Sequence, residues 1–217
     1  MQTLTACGTP APEPWFGWAG FVAVIGAIAA VAADIVAISI DDTRSFLATS
    51  VSATAVGKYA WFVDAAIYLM GAAIAALAFV LHHWNLDHGR YRFGIFCLGA
   101  LALTIFLLAG WDMYDPEQVP DFGFHMMLVY ALSALFPLAA LTLARGLGKV
   151  SRFWRRFSIG LAVLWLIAGP IYAVTPEHLE GLFQRIAFVL MLFWIAGIGV
   201  LFIRVCTRRV DPEAEGA

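Results

Sequence analysis

The stretch EGLFQRIAFVLMLFWIAGIGVLF, residues 180–202, decides how the rest of the chain is read. From 186 to 203 it carries no charge, and at helical rise such a run covers about 27 Å, close to the ~30 Å of hydrocarbon in a bilayer. Its apolar residues are continuous, whereas a membrane-spanning barrel strand would alternate over a shorter segment. Lipid offers the backbone no partners, so the run must be a helix. Five further runs read the same way, giving expected spans at 18–40, 59–81, 93–111, 123–144, 157–174 and 182–205. With 62% hydrophobic residues, 13% charged and a mean hydropathy of +0.85, the composition lies far from that of soluble domains. The expected fold is all-α: a polytopic membrane protein with six transmembrane helices in one domain, residues 1–217. The segment before the first run has Pro10, Pro12 and Pro14 but no basic residue, so that run reads as a retained span and not a signal peptide.

Lysine and arginine set the expected orientation, because they resist export during insertion. With both termini cytoplasmic, the inner segments collect Arg90, Arg92, Arg145, Lys149, Arg152, Arg155, Arg156, Arg204, Arg208 and Arg209, and only Arg44, Lys58 and Arg185 face out. The expected location is the inner membrane. Trp15, Trp18, Trp84 and Trp154 would mark the inner interface, Trp61 and Trp111 the outer one, with Trp165 and Trp194 in mid-span. Cys7, Cys97 and Cys206 fall near the reducing side, so no disulfide is expected; Cys206 reads as an unmodified interfacial thiol, with acylation as the sharper alternative.

Acidic residues gather on the other side. Residues 110–127, GWDMYDPEQVPDFGFHMM, hold Asp112, Asp115, Glu117 and Asp121 with His125 and no basic residue. Asp34 and Asp64 lie inside spans, where a lone carboxylate is costly, so each is expected to face a partner or water. Asp34 shares a helical face with Asp41, and Asp64 shares one with Trp61, Tyr68 and Gly71. These positions imply an outward polar cavity walled by spans one, two, three and six. Arg185, whose guanidinium favours a bidentate carboxylate, is the counter-charge, with Asp64 or Asp112 as its expected partner. Its role stays open between a structural ion pair, a ligand for a lipid phosphate or substrate anion, and a snorkelling cation. Asp121 and the Thr175-Pro176-Glu177 sequence read as helix-start signals. Asp112 and Asp115, at the negative end of span three, need compensation by Arg185, a cation or a proton.

Asp112, Asp115, His125 and His178 form an alternative divalent-metal set, without any recognised ligand spacing. No cofactor is expected: His82, His83 and His88 share one loop, and no two spans offer histidines at matching depth for haem. The basic stretches 82–92 and 144–157 read as solvated loops facing lipid phosphate, which leaves nucleic acid without a role. Gly26, Ala30, Ala33 and Ala37 allow close helix approach, and Pro137 and Pro170 should bend a span or free a carbonyl.

The segments WDMYDPEQVPDFGFHMMLVYALSALFPLAALTLAR, RRFSIG and EGLFQRIAFVLMLFWIAGIGVLF, with SFLATSVSATAVGKYAWFVDAAIYLMGAAIAALAFVL, together resemble the bacterial membrane family called domain of unknown function 998. The resemblance rests on the acidic turn with Asp112 and Asp115, His125 at the start of span four, and the Gly181-x-x-x-Arg185 entry to span six. It implies six spans, and a distant likeness to Frag-type and DRAM-type membrane proteins. The leading expectation is an outward cavity that binds a lipid headgroup or small polar ligand through Arg185, with His125 and Asp112 or Asp115 as acid-base or ligand groups and Asp34 and Asp64 lining it. A proton- or cation-coupled transporter using Asp34 and Asp64, and an accessory subunit with a membrane partner or second copy, are the alternatives.

Overall fold

A computed structural model describes residues 12–58, 60–111 and 122–207. Its regular elements are α1 (Phe16–Ser39), α2 (Val51–Thr54), α3 (Ala60–Trp84), α4 (Arg90–Trp111), α5 (Phe122–Val150), α6 (Arg152–Ala173), a 3₁₀ turn (Glu177–Leu179) and α7 (Glu180–Thr207). All but α2 and the 3₁₀ turn are long and apolar enough to cross a membrane, so the six expected spans are six observed helices.

Each long helix packs on its neighbours in sequence, and α7 closes back on α1, so the six form a ring. The closing seam is unusually tight. A Cβ built on Gly20 would lie 2.4 Å from the Gly199 carbonyl oxygen, and one on Gly199 would lie 2.6 Å from that of Gly20. Lipid removes most of the hydrophobic drive between spans, so such backbone-on-backbone contact supplies the dispersion energy that holds them. Gly26 does the same work on the other flank of α1, against Ala73 and the Leu69 carbonyl of α3. Of the neighbouring pairs, α6 and α7 touch least.

Two ends of the ring differ. Towards the end that carries residues 12–15 and the C-terminus of α7, its axis is filled by Leu81, Leu98, Phe136, Leu143, Trp194 and Phe202, all fully buried. The outer wall presents Trp18, Phe96, Tyr130, Phe153, Val174 and Phe193, each 60–82% exposed, an apolar surface suited to lipid and unlike that of a soluble domain.

Pro137 lies inside α5, where it has no N–H for the carbonyl four residues earlier. That carbonyl belongs to Ser133, and the Trp165 indole Nε1 of α6 donates to it at 3.0 Å. The proline and the mid-span tryptophan are thus one feature: a gap in one helix filled by its neighbour. Trp194 is satisfied likewise, by the Ser158 hydroxyl at 3.0 Å. Trp165→Phe is expected to cost about 1–2 kcal/mol, the price of a buried acceptor left alone, and less in a Pro137→Ala background where residue 137 regains its N–H. Unfolding of the four proteins in one detergent, compared as a double-mutant cycle, checks this.

The basic stretches depart from expectation. Residues 144–157 are not a solvated loop: α5 continues to Val150, α6 begins at Arg152, and Ser151 alone joins them, its hydroxyl accepting from the Trp154 N–H. Hydropathy windows stop at the first charges, but long basic side chains let a helix run on while their heads reach water. In 82–92, Trp84, Leu86 and Tyr91 are buried, so Trp84 is a core residue packed against Phe202 and not an interfacial anchor. Asp87 pairs with Lys149 at 3.1 Å and Arg145 at 3.3 Å, and Lys149 also donates to the Leu86 carbonyl. The His88 backbone N–H, then Lys149, hold the Asp87 carboxyl below its ordinary range.

Candidate functional site

At the opposite end of the ring, α1 and α7 bring Asp34 and Arg185 together. Arg185 Nε donates to Asp34 Oδ2 at 2.8 Å and Nη2 to Oδ1 at 3.0 Å, the bidentate fork expected of a guanidinium and a carboxylate. Both residues are 5% exposed. The expected partner was Asp64 or Asp112; the structure gives Asp34. The reason is antiparallel register: closing α7 on α1 sets the start of one helix beside the end of the other, a pairing that no local pattern reveals.

The remaining guanidinium edge holds a loop. Nη1 donates to the carbonyls of Phe46 at 2.9 Å and Thr49 at 2.7 Å, and the Phe46 ring lies 4.8 Å from the guanidinium carbon. Four of the five guanidinium N–H groups are therefore engaged. Gly181 explains how the loop comes so near, since a Cβ there would meet the Thr49 oxygen at 2.3 Å. The Gly-x-x-x-Arg spacing thus has a physical basis: one turn of helix separates the residue that admits the loop from the residue that binds it. The Leu182 N–H donates to the Leu47 carbonyl at 3.0 Å, and the Val51 N–H donates to Gln184 Oε1.

Within the loop, Arg44 plays a matching part, bonding Asp41 at 2.7 Å and the carbonyls of Ala53 and Val56 at 3.1 and 2.6 Å. The Thr43 hydroxyl and N–H, and then Arg44, lower the Asp41 pKa from its ordinary value. Asp41 lies beyond the end of α1 at Ser39, so it organises a turn and does not share a helical face with Asp34.

Beneath this loop the axis of the ring is hollow. A cavity of about 170 Å³ is lined by all six spans and α2, among them Ala30, Met70, Ile105, Leu132, Trp165 and Phe188. Polar groups at its wall are Ser52, His125, Ser133, Tyr172 and Gln184. The expected cavity had spans one, two, three and six as walls and carboxylates as lining. The observed one is mainly apolar, and among the described residues His125 is the one predicted site residue that lines it. Gln184 was missed, although it stands one residue before Arg185 and is the one other polar side chain in the entry to α7 beyond Glu180.

Asp64 is buried on α3, apart from that lining, while Trp61 of the same proposed face turns outward. Asp112, Asp115, Glu117 and Asp121 lie outside the described residues, as does Cys7. The metal set is therefore described only in His125, which is half-buried, and His178, which is exposed. Among the described residues no three acidic, histidine or cysteine side chains gather to hold a metal ion. Thr175 does not cap the last span: its hydroxyl turns back to the Ile171 carbonyl at 2.7 Å, and a 3₁₀ turn starting at Glu177 precedes α7. Glu180, in the first turn of α7, accepts from the Tyr172 hydroxyl at 2.9 Å.

Compared with curated proteins and with solved structures, the chain matches none. A family model described as "Protein of unknown function (DUF998)" matches residues 24–201, a span that takes in Asp34, His125, Gln184 and Arg185, and the chain belongs to that family.

Proposed function

We propose that this is an inner-membrane protein with both termini cytoplasmic, and that its axial cavity takes up a small membrane-soluble molecule or the end of a lipid from the outer half of the bilayer. The cavity is the observation that carries this reading. Binding sites for small molecules are typically concave, mostly apolar and pointed by a few polar groups, which describes this wall. An apolar cavity of about 150 Å³ accepts benzene, so this one suits a ring or a short stretch of chain. The orientation is supported by the basic residues, most of which belong to the end bearing Asp87 and Ser151.

Arg185 is better suited to holding the loop than to meeting a free anion, because four of its five donors are engaged. Asp34, locked in the same fork, is a poor proton carrier for a transporter. Ala187 lines the cavity from α7, and Ala187→Leu should fill part of it. Native mass spectrometry of protein taken from its membranes into mild detergent is expected to show a bound small molecule in the parent and none in Ala187→Leu, with similar melting temperatures. An equally loaded Ala187→Leu protein would move the site elsewhere.

A further inference from the structure

Building on the cavity as a binding site, we propose that its occupant is an uncharged amphipath, an ester- or ketone-like molecule whose oxygen accepts from the Gln184 amide. None of the described lining residues is Asp, Glu, Lys or Arg, and the ionisable side chains among them are His125 and Tyr172. A phosphate or carboxylate drawn into such a wall would lose its water without gaining a counter-charge, which is costly. The guanidinium that follows Gln184 in the chain, Arg185, is held by Asp34 and two loop carbonyls.

The polar lining narrows the choice further. The Ser133 hydroxyl donates to the Val129 carbonyl at 2.8 Å, and the Tyr172 hydroxyl donates to Glu180. Gln184 differs. A backbone N–H can only donate, so the atom facing Val51 must be the amide oxygen, and this fixes which way the side chain is turned. Its NH₂ group remains as a donor, and no other described residue accepts from it. Arg185 acts through the loop: by holding Phe46 and Thr49 it places Val51, and Val51 orients Gln184.

Methyl decanoate and decanoate, at mildly alkaline pH, have the same acyl chain and differ in charge, so they make a matched pair of probes. Binding to protein in nanodiscs would be read by thermal shift and by quenching of Trp165, which lines the cavity. The ester is expected to bind and the carboxylate to bind at least tenfold more weakly. Gln184→Glu keeps an oxygen for Val51 but removes the donors and adds a charge to the wall, so it should weaken the ester about tenfold, the effect of ~1.4 kcal/mol, and lower the melting temperature of the empty protein. Gln184→Leu should weaken the ester too. Carboxylate binding as strong as ester binding, lost in Ala187→Leu, would overturn the charge assignment and leave the cavity reading standing. Ester binding unchanged in both Gln184 variants would overturn the role of Gln184. Binding of neither probe, or ester binding unchanged in Ala187→Leu, would overturn the cavity reading with it.

Discussion

Arg185→Ala is expected to cost about 3–5 kcal/mol of stability, because it leaves the Asp34 carboxylate buried without its partner. The loss has a second source: the carbonyls of Phe46 and Thr49 lose their donor, so the loop over the cavity should become open to protease before the helices melt. Arg185→Lys should recover little, since an ammonium cannot form the fork with Asp34 while also reaching both carbonyls. Removing both charges together, as Asp34→Leu with Arg185→Met, should recover much of the stability and none of the loop protection. Unfolding in a single detergent, with limited proteolysis beside it, separates these effects. An Arg185→Ala protein as stable as its parent would show that the pair is not what balances Asp34.

Gly20→Ala is the second large change. One methyl group would lie 2.4 Å from the Gly199 carbonyl oxygen, and neither backbone can turn aside as a side chain would. The two helices must separate by roughly a carbon radius along their seam, so the cost should fall near the upper end of the ~1–3 kcal/mol of an overpacked core. Gly99→Ala is the matched control, since nothing lies within 4 Å of its new methyl group. Ala is the better helix former, so that variant should be neutral or stabilised by up to about 1 kcal/mol. Melting temperatures moving in opposite directions would locate the effect in the α1–α7 seam; equal shifts would assign it to helix propensity.

Six helices could be read from hydropathy because each span announces itself within its own residues. The ring could not. Its closure depends on Gly20 meeting Gly199, and glycine in an apolar run looks the same whether it faces lipid or a backbone. The Asp34–Arg185 pair failed for the same reason: each residue was recognised as one that needs a partner, but their separation along the chain hid the match. Pro137 and Trp165 were each noted alone, and the bond from Trp165 to Ser133 appears once α5 and α6 are set side by side. The polar cavity was expected from a count of carboxylates on one side of the membrane. The described charges Asp34, Asp64 and Arg185 are buried among the helices and lie outside the lining, so of the described residues easiest to notice only His125 faces the hollow.

The ring also dictates an order of biogenesis. α1 is synthesised before α7, so the Asp34 carboxylate is made 151 residues ahead of its counter-ion. Arrival of α7 then closes the bundle, neutralises the buried acid and fastens the first loop in one event. A nascent chain stalled before α7 would display that acid without its counter-charge.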